Sequence, residues 1–139
     1  MRLLIDTNIL LDVLQERHPH YGASSLLWKF CETGQAEGYV SVLTFANLIY
    51  VMRKELKPKQ IEDVLNRLSL IFRFLDFSMS EAMKAAKMRW GDFEDAVQSA
   101  TAEQIHANYI ITRNVRDFLN SGIPAVTPAE YLTRYAGGV

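Results

Sequence analysis

The chain is short of cysteine, of charge imbalance and of long apolar runs, and each shortage removes a class of protein. A single cysteine, Cys31, among 139 residues excludes a disulfide framework within the chain. It points to a reducing compartment, here the cytoplasm. Lys and Arg number 15 against 16 Asp and Glu, a net charge of -1, so no global basic field attracts nucleic acid. Any contact with a polyanion must be built locally. The first apolar run, Leu3-Leu4-Ile5, stops at Asp6, which argues against a secretory signal there. No stretch approaches the length of a membrane span.

What is present is ordinary globular usage, with 49% hydrophobic and 22% charged residues. Disorder needs fewer apolar residues and more net charge. The expectation is one domain over residues 1–139, long enough to bury about two-thirds of its unfolded surface. No repeat, low-complexity tract or linker interrupts it.

A continuous apolar run over 2–5 suits a strand covered on both faces. A helix follows over about 8–15. Beyond Pro19, Leu26, Leu27, Phe30 and Cys31 recur at helical spacing as far as Gly34. A second strand is expected over 39–42. Thr44 is placed to cap the next helix, whose stripe is Phe45, Leu48, Ile49 and Met52. Pro58 opens another helix, with Ile61, Val64, Leu65 and Leu68 on one face. A third strand over 72–77 precedes a helix over 79–90 that turns Met79, Met83, Ala86 and Trp90 inward. Another helix runs over 92–106, a fourth strand over 109–112 and a short fifth near 125–126. Thr127, Pro128 and Glu130 form a capping-box start to the last helix, which Gly137 and Gly138 end. Strands alternating with helices predict an α/β domain with a mostly parallel sheet.

In such sheets, sites gather beyond the carboxyl ends of the strands. Asp6-Thr7-Asn8 follows the first strand, Ser41 and Thr44 follow the second, and Thr112-Arg113-Asn114 with Asp117 follow the fourth. The helix before the fourth strand begins with Asp92, Glu94 and Asp95. Asp92, Asp95 and Ser99 share a helix face, and Glu94 is expected to point away from it. Each acid alone also suits a helix cap or a first-turn partner of the helix dipole. Their conjunction at one sheet edge favours a site. Clustered carboxylates repel unless a cation or raised pKa values relieve them. Oxygen donors without His or Cys favour Mg²⁺ or Mn²⁺ over zinc. Such an ion can activate water, orient a scissile phosphate and stabilise the leaving oxygen.

Other residues are read more plainly. Asp12 suits either a support beneath the cluster or a solvated helix position. Arg113 and Arg116 suit either substrate phosphates or solvated loop charges. Ser99 and Thr44 suit hydrogen bonds to a ligand carboxylate, although capping explains Thr44 equally. His18 and His20 read as surface loop histidines, Trp90 as a packing residue, and Arg53, Lys54, Lys57 and Lys59 as a solvated helix end.

The segments 3–12, 92–100 and 110–118 together resemble the first, third and fourth motifs of PIN domains. The order and spacing agree over nearly the whole chain. The resemblance implies a three-layer α/β/α fold and a divalent-metal-dependent endoribonuclease, of the kind found in VapC-like toxins held inactive by a cognate antitoxin. It implies Asp6, Asp95 and Asp117 as Mg²⁺ or Mn²⁺ ligands, with Asp92 adjacent and Asn8 in support. It makes Asn114 a substrate contact with Arg113 and Arg116, and it makes a homodimer plausible. Two positions depart from the pattern. Asn47 stands where the second motif normally has glutamate, offering a carbonyl oxygen without charge. Asn114 stands where many relatives carry aspartate. The alternative reading is a PIN-fold RNA- or protein-binding module with weakened chemistry. A receiver domain or a haloacid-dehalogenase-like phosphatase would need a differently placed acid pair, and Asp6-Thr7-Asn8 lacks the second acid of the latter.

Overall fold

A computed structural model describes residues 1–135. Gly137 and Gly138, expected to end the last helix, lie outside the described residues. Strands β1 (Arg2–Ile5), β2 (Glu37–Ser41), β3 (Arg73–Leu75), β4 (Tyr109–Ile111) and β5 (Ala125–Val126) form one sheet in the order β3-β2-β1-β4-β5. All four pairings are parallel. The chain lays β1, β2 and β3 outward in one direction, then returns to place β4 on the other side of β1. That reversal opens a crevice beyond the carboxyl ends of β1 and β4.

Side chains alternate across a strand, so β1 feeds two cores. Leu3 and Ile5 join a large cluster with residues of α1 (Thr7–Leu14), α2 (Tyr21–Glu32), α3 (Val42–Val51), α4 (Pro58–Ile71) and α7 (Pro128–Tyr135). Leu4 joins the opposite cluster, with Ala102 of α6 (Phe93–Gln104) and Phe118 of a 3-10 turn at Val115–Phe118. Helix α5 (Met79–Lys87) packs outside α6 on that second face. Three layers result, because a parallel sheet has two apolar faces to cover.

Two glycines have specific work. Gly34 takes φ +80° just past the end of α2, where a residue with a Cβ is strained. A Cβ at Gly38 would lie 2.7 Å from the Phe72 ring and 2.8 Å from Cys31 Sγ, so glycine permits the close passage of β2.

Several local expectations need correction. Helix α3 starts at Val42, with Ser41 as its cap accepting from the Leu43 amide. Thr44, expected as the cap, is buried one turn in. Strand β3 is shorter than expected, and α5 stops at Lys87 rather than 90. Met79 and Met83 of α5 are exposed, Met79 by 76%, and Ala85 is buried instead. Alanine allows α5 to lie close to α6, and that approach outweighs the larger apolar surface of methionine. Leu26 and Leu65 are exposed as well, and Ser24 takes the buried position on α2. The last helix begins as expected, with Thr127 Oγ1 accepting from the Glu130 amide and donating to its carboxylate.

Candidate functional site

Asp6 ends β1 and caps α1, so its position follows from two elements at once. Its amide donates to Ile111 O of β4 at 3.0 Å. Its Oδ1 accepts from the Thr7 amide at 2.8 Å and its Oδ2 from Thr112 Oγ1 at 2.8 Å. Only 7% of the residue is exposed. Burial pushes its pKa up, against the hydrogen bonds from Thr112 and Thr7 and the Arg113 charge, while the Asp117 charge pushes it further up.

Asp92 caps α6, its Oδ1 accepting from the Asp95 amide at 3.1 Å. This turns the first helical turn toward the crevice. Asp95 is pushed up to about 7, first by burial and then by the charges of Asp92, Asp6, Asp117 and Glu94. Glu94 is also raised, by burial and by the Asp6 and Asp92 charges, with a hydrogen bond to Asn47 pulling the other way. It is exposed, as expected for its position, yet it faces the cavity instead of pointing away. The expectation treated the helix face from Asp92 and Asp95 alone. In the fold, α3 brings Asn47 opposite Glu94.

These side chains line a cavity of about 280 Å³ together with Asn8, Asn114 and Asp117. Thr112 organises two of its walls, since its Oγ1 donates to Asp6 and accepts from the Asn114 amide at 3.0 Å. Its role was legible only as a hydroxyl on the residue just past a strand end. Thr44 holds the cavity together from beneath, because its Oγ1 accepts from Gln98 Nε2 at 2.9 Å and ties α3 to α6.

Three expected site residues lie elsewhere. Ser99 is fully buried and pairs with Ser121 Oγ at 2.6 Å. Asp12 is not solvated, and it does not line the acidic cavity. It is wholly buried, accepting from Ser24 Oγ at 2.9 Å. Arg113, expected at the substrate, stands 3.2 Å from Asp12 and lines a separate cavity with His20, Ser24 and Thr127. Arg116 does lie beside the acids, in a larger adjoining groove that shares Asp92, Asp95 and Asp117.

The donor set is all oxygen, five carboxylates and three amide side chains, and its mutual repulsion suits a hard divalent cation. Thr7 Oγ1, at the same cavity, is buried without a hydrogen-bond partner among the described residues. Among the described residues, no three His, Cys, Asp or Glu side chains stand grouped as a ready metal cage.

The family model described as "PIN domain" matches residues 2–116. No curated protein matches the chain. Among solved structures, a toxin-antitoxin complex from Klebsiella pneumoniae is 27% identical with a TM-score of 0.65, covering 91% of this chain and 97% of that one. FitAcB from Neisseria gonorrhoeae is 23% identical with a TM-score of 0.68, over 91% of this chain and 98% of that one. VapC20 of Mycobacterium tuberculosis, described as a sarcin-ricin loop cleaving toxin, is 14% identical with a TM-score of 0.63, over 78% and 86%.

Proposed function

The chain belongs to the PIN domain family, and from that premise we propose that it is a divalent-metal-dependent endoribonuclease, the toxin half of a toxin–antitoxin pair. The observation that carries the reading is the convergence of five carboxylates from the cap of α1, the cap and first turn of α6 and the 3-10 turn on one crevice of the sheet. The similarity to toxin–antitoxin complexes supports an antitoxin partner. The similarity to a toxin described as cleaving the sarcin-ricin loop supports RNA as the substrate class.

In this reading Asp6, Asp95 and Asp117 hold Mg²⁺ or Mn²⁺, with Asn47 as a neutral oxygen ligand. When bound, the cation supplies the charge that activates water and stabilises the phosphate in flight. The chain's own residues do the rest. Thr7 and Thr112 fix both oxygens of Asp6, so the carboxylate needs no reorganisation. Asp92 holds the α6 turn that presents Asp95. Asn114 and Arg116 lie where the substrate backbone passes, and no side chain acts as nucleophile. Asn47 also supports a second reading, a binding module with weakened chemistry, since it removes one charge from the pocket.

The test is cleavage of a pool of structured RNAs by purified protein in EDTA, Mg²⁺ or Mn²⁺, beside Asp6→Asn. Cleavage that requires metal and disappears in the variant supports the nuclease. A folded, antitoxin-free protein that cleaves nothing under either metal favours the binding module.

A further inference from the structure

We propose that the groove beside the acidic cavity is a subsite for the nucleotides flanking the scissile phosphate of single-stranded RNA, with Trp90 as its stacking face and Arg89 and Arg116 as its phosphate contacts. The proposal rests on the nuclease reading and names where the substrate lies.

The groove measures about 580 Å³, against about 280 Å³ for the acidic cavity. That is within the ~300–1,000 Å³ range of small-ligand sites. Asp92, Asp95 and Asp117 wall both spaces, so a chain entering one continues into the other.

Electrostatics then demands cations here. The carboxylates repel RNA, and the net charge of -1 offers no compensating field. Arg89 and Arg116 line the groove, and both are exposed. Among the described residues neither side chain forms an ion pair or a hydrogen bond, whereas Arg2, Arg17 and Arg113 are each engaged. Both guanidiniums are therefore free for phosphate oxygens.

Trp90 supplies the aromatic surface. It is half-buried, braced by a T-shaped contact with Phe118 at 6.2 Å between centroids and 71° between planes. Among the described residues its indole N–H has no partner. A fixed, partly open indole is a platform for an unstacked base. Arg89 itself has φ +61°, the left-handed region that non-glycine residues seldom enter. Arg89 stands just past the C-cap of α5, the usual place for a left-handed helix ending, as do Glu16 after α1 and His106 after α6. Duplex RNA keeps its bases stacked inward, so a stacking platform selects single strands.

The test uses Trp28→Phe protein, in which Trp90 is the remaining tryptophan. A single-stranded RNA of about ten nucleotides is titrated in EDTA, so that binding is read without cleavage. The expected result is quenching of Trp90 emission by the single strand and not by a duplex of the same sequence. Arg89→Ala and Arg116→Ala should each reduce the slope of log affinity against log salt by roughly 0.7. In protein retaining Trp28 and with labelled RNA, Trp90→Ala should weaken binding on the order of ten-fold, and Trp90→Phe much less. RNA binding with unchanged salt slopes and unchanged Trp90 emission, or no RNA binding at all, overturns the subsite. The two readings fail separately. Asp6-dependent cleavage with unaltered KM in Arg89→Ala and Trp90→Ala removes the subsite and leaves the nuclease. The expected binding signatures without metal-dependent cleavage remove the nuclease and leave the subsite.

Discussion

Arg113 Nε stands 3.2 Å from Oδ2 of Asp12, a carboxylate with no solvent exposure. The other oxygen, Oδ1, has no hydrogen-bond partner among the described residues. The pair joins α1 to the loop after β4, the two segments that flank Asp6. Removing one partner of a buried pair strands the other charge. Arg113→Met is expected to lose about 3 kcal/mol in urea unfolding, and adding Asp12→Asn should recover part of it. A loss below about 0.5 kcal/mol, the range of ordinary surface changes, would show that the pair is not structural.

Thr112 offers a narrower test. Its hydroxyl donates to Asp6 Oδ2, and Thr112→Val removes that donor while keeping shape. A hydrogen bond to a charged group is worth about 1.5–3 kcal/mol. The variant should raise the Asp6 pKa further and weaken Mn²⁺ binding measured by calorimetry. Unchanged Mn²⁺ affinity would mean that Asp6 needs no such support.

The acid cluster also makes a pH prediction for the metal-free protein. Asp95 ordinarily titrates near 3.8 and is pushed up to about 7 in the fold. The folded state therefore holds a proton that the unfolded state has released, and stability falls as pH rises between those values. Glu94 and Asp6 are raised in the same direction and add to the fall. Thermal unfolding in EDTA should show this decline, Asp95→Asn should flatten it, and Mg²⁺ at neutral pH should offset it. A decline identical in Asp95→Asn would assign the effect elsewhere.

Glu94 and Asn47 face each other across the cavity, and the Glu94 charge is one of those acting on Asp95. Glu94→Gln should lower the Asp95 pKa, read from carboxyl carbon shifts in NMR titration. Asn47→Glu should raise the Asp95 pKa in EDTA and tighten Mn²⁺ binding when metal is added. If neither substitution moves Asp95, the two helices do not share one field.

The main elements were legible because their signals are local. A run such as Leu3-Leu4-Ile5 has few alternatives to a buried strand, and Thr127, Pro128 and Glu130 cap their own helix through neighbouring atoms. Asp6, Asp95 and Asp117 were legible as candidates because strand ends and helix starts are readable in sequence. Ser41 and Thr44 show where that stops. Two hydroxyls three residues apart both suit a cap, and the choice fell to Ser41 because Thr44 meets Gln98 on a helix 54 residues away in sequence.

The sequence by itself determined the alternation of strands and helices, the oxygen-only character of the acids and the absence of a global basic field. These depend on residue type and short spacing. Only the tertiary structure decided that Glu94 faces the cavity, that Ser99 does not, and that Arg113 answers Asp12 while Arg89 and Arg116 stay free among the described residues. Those outcomes depend on which helix faces meet across the sheet. Packing fixes that through contacts between residues far apart in the chain, where sequence spacing carries no information.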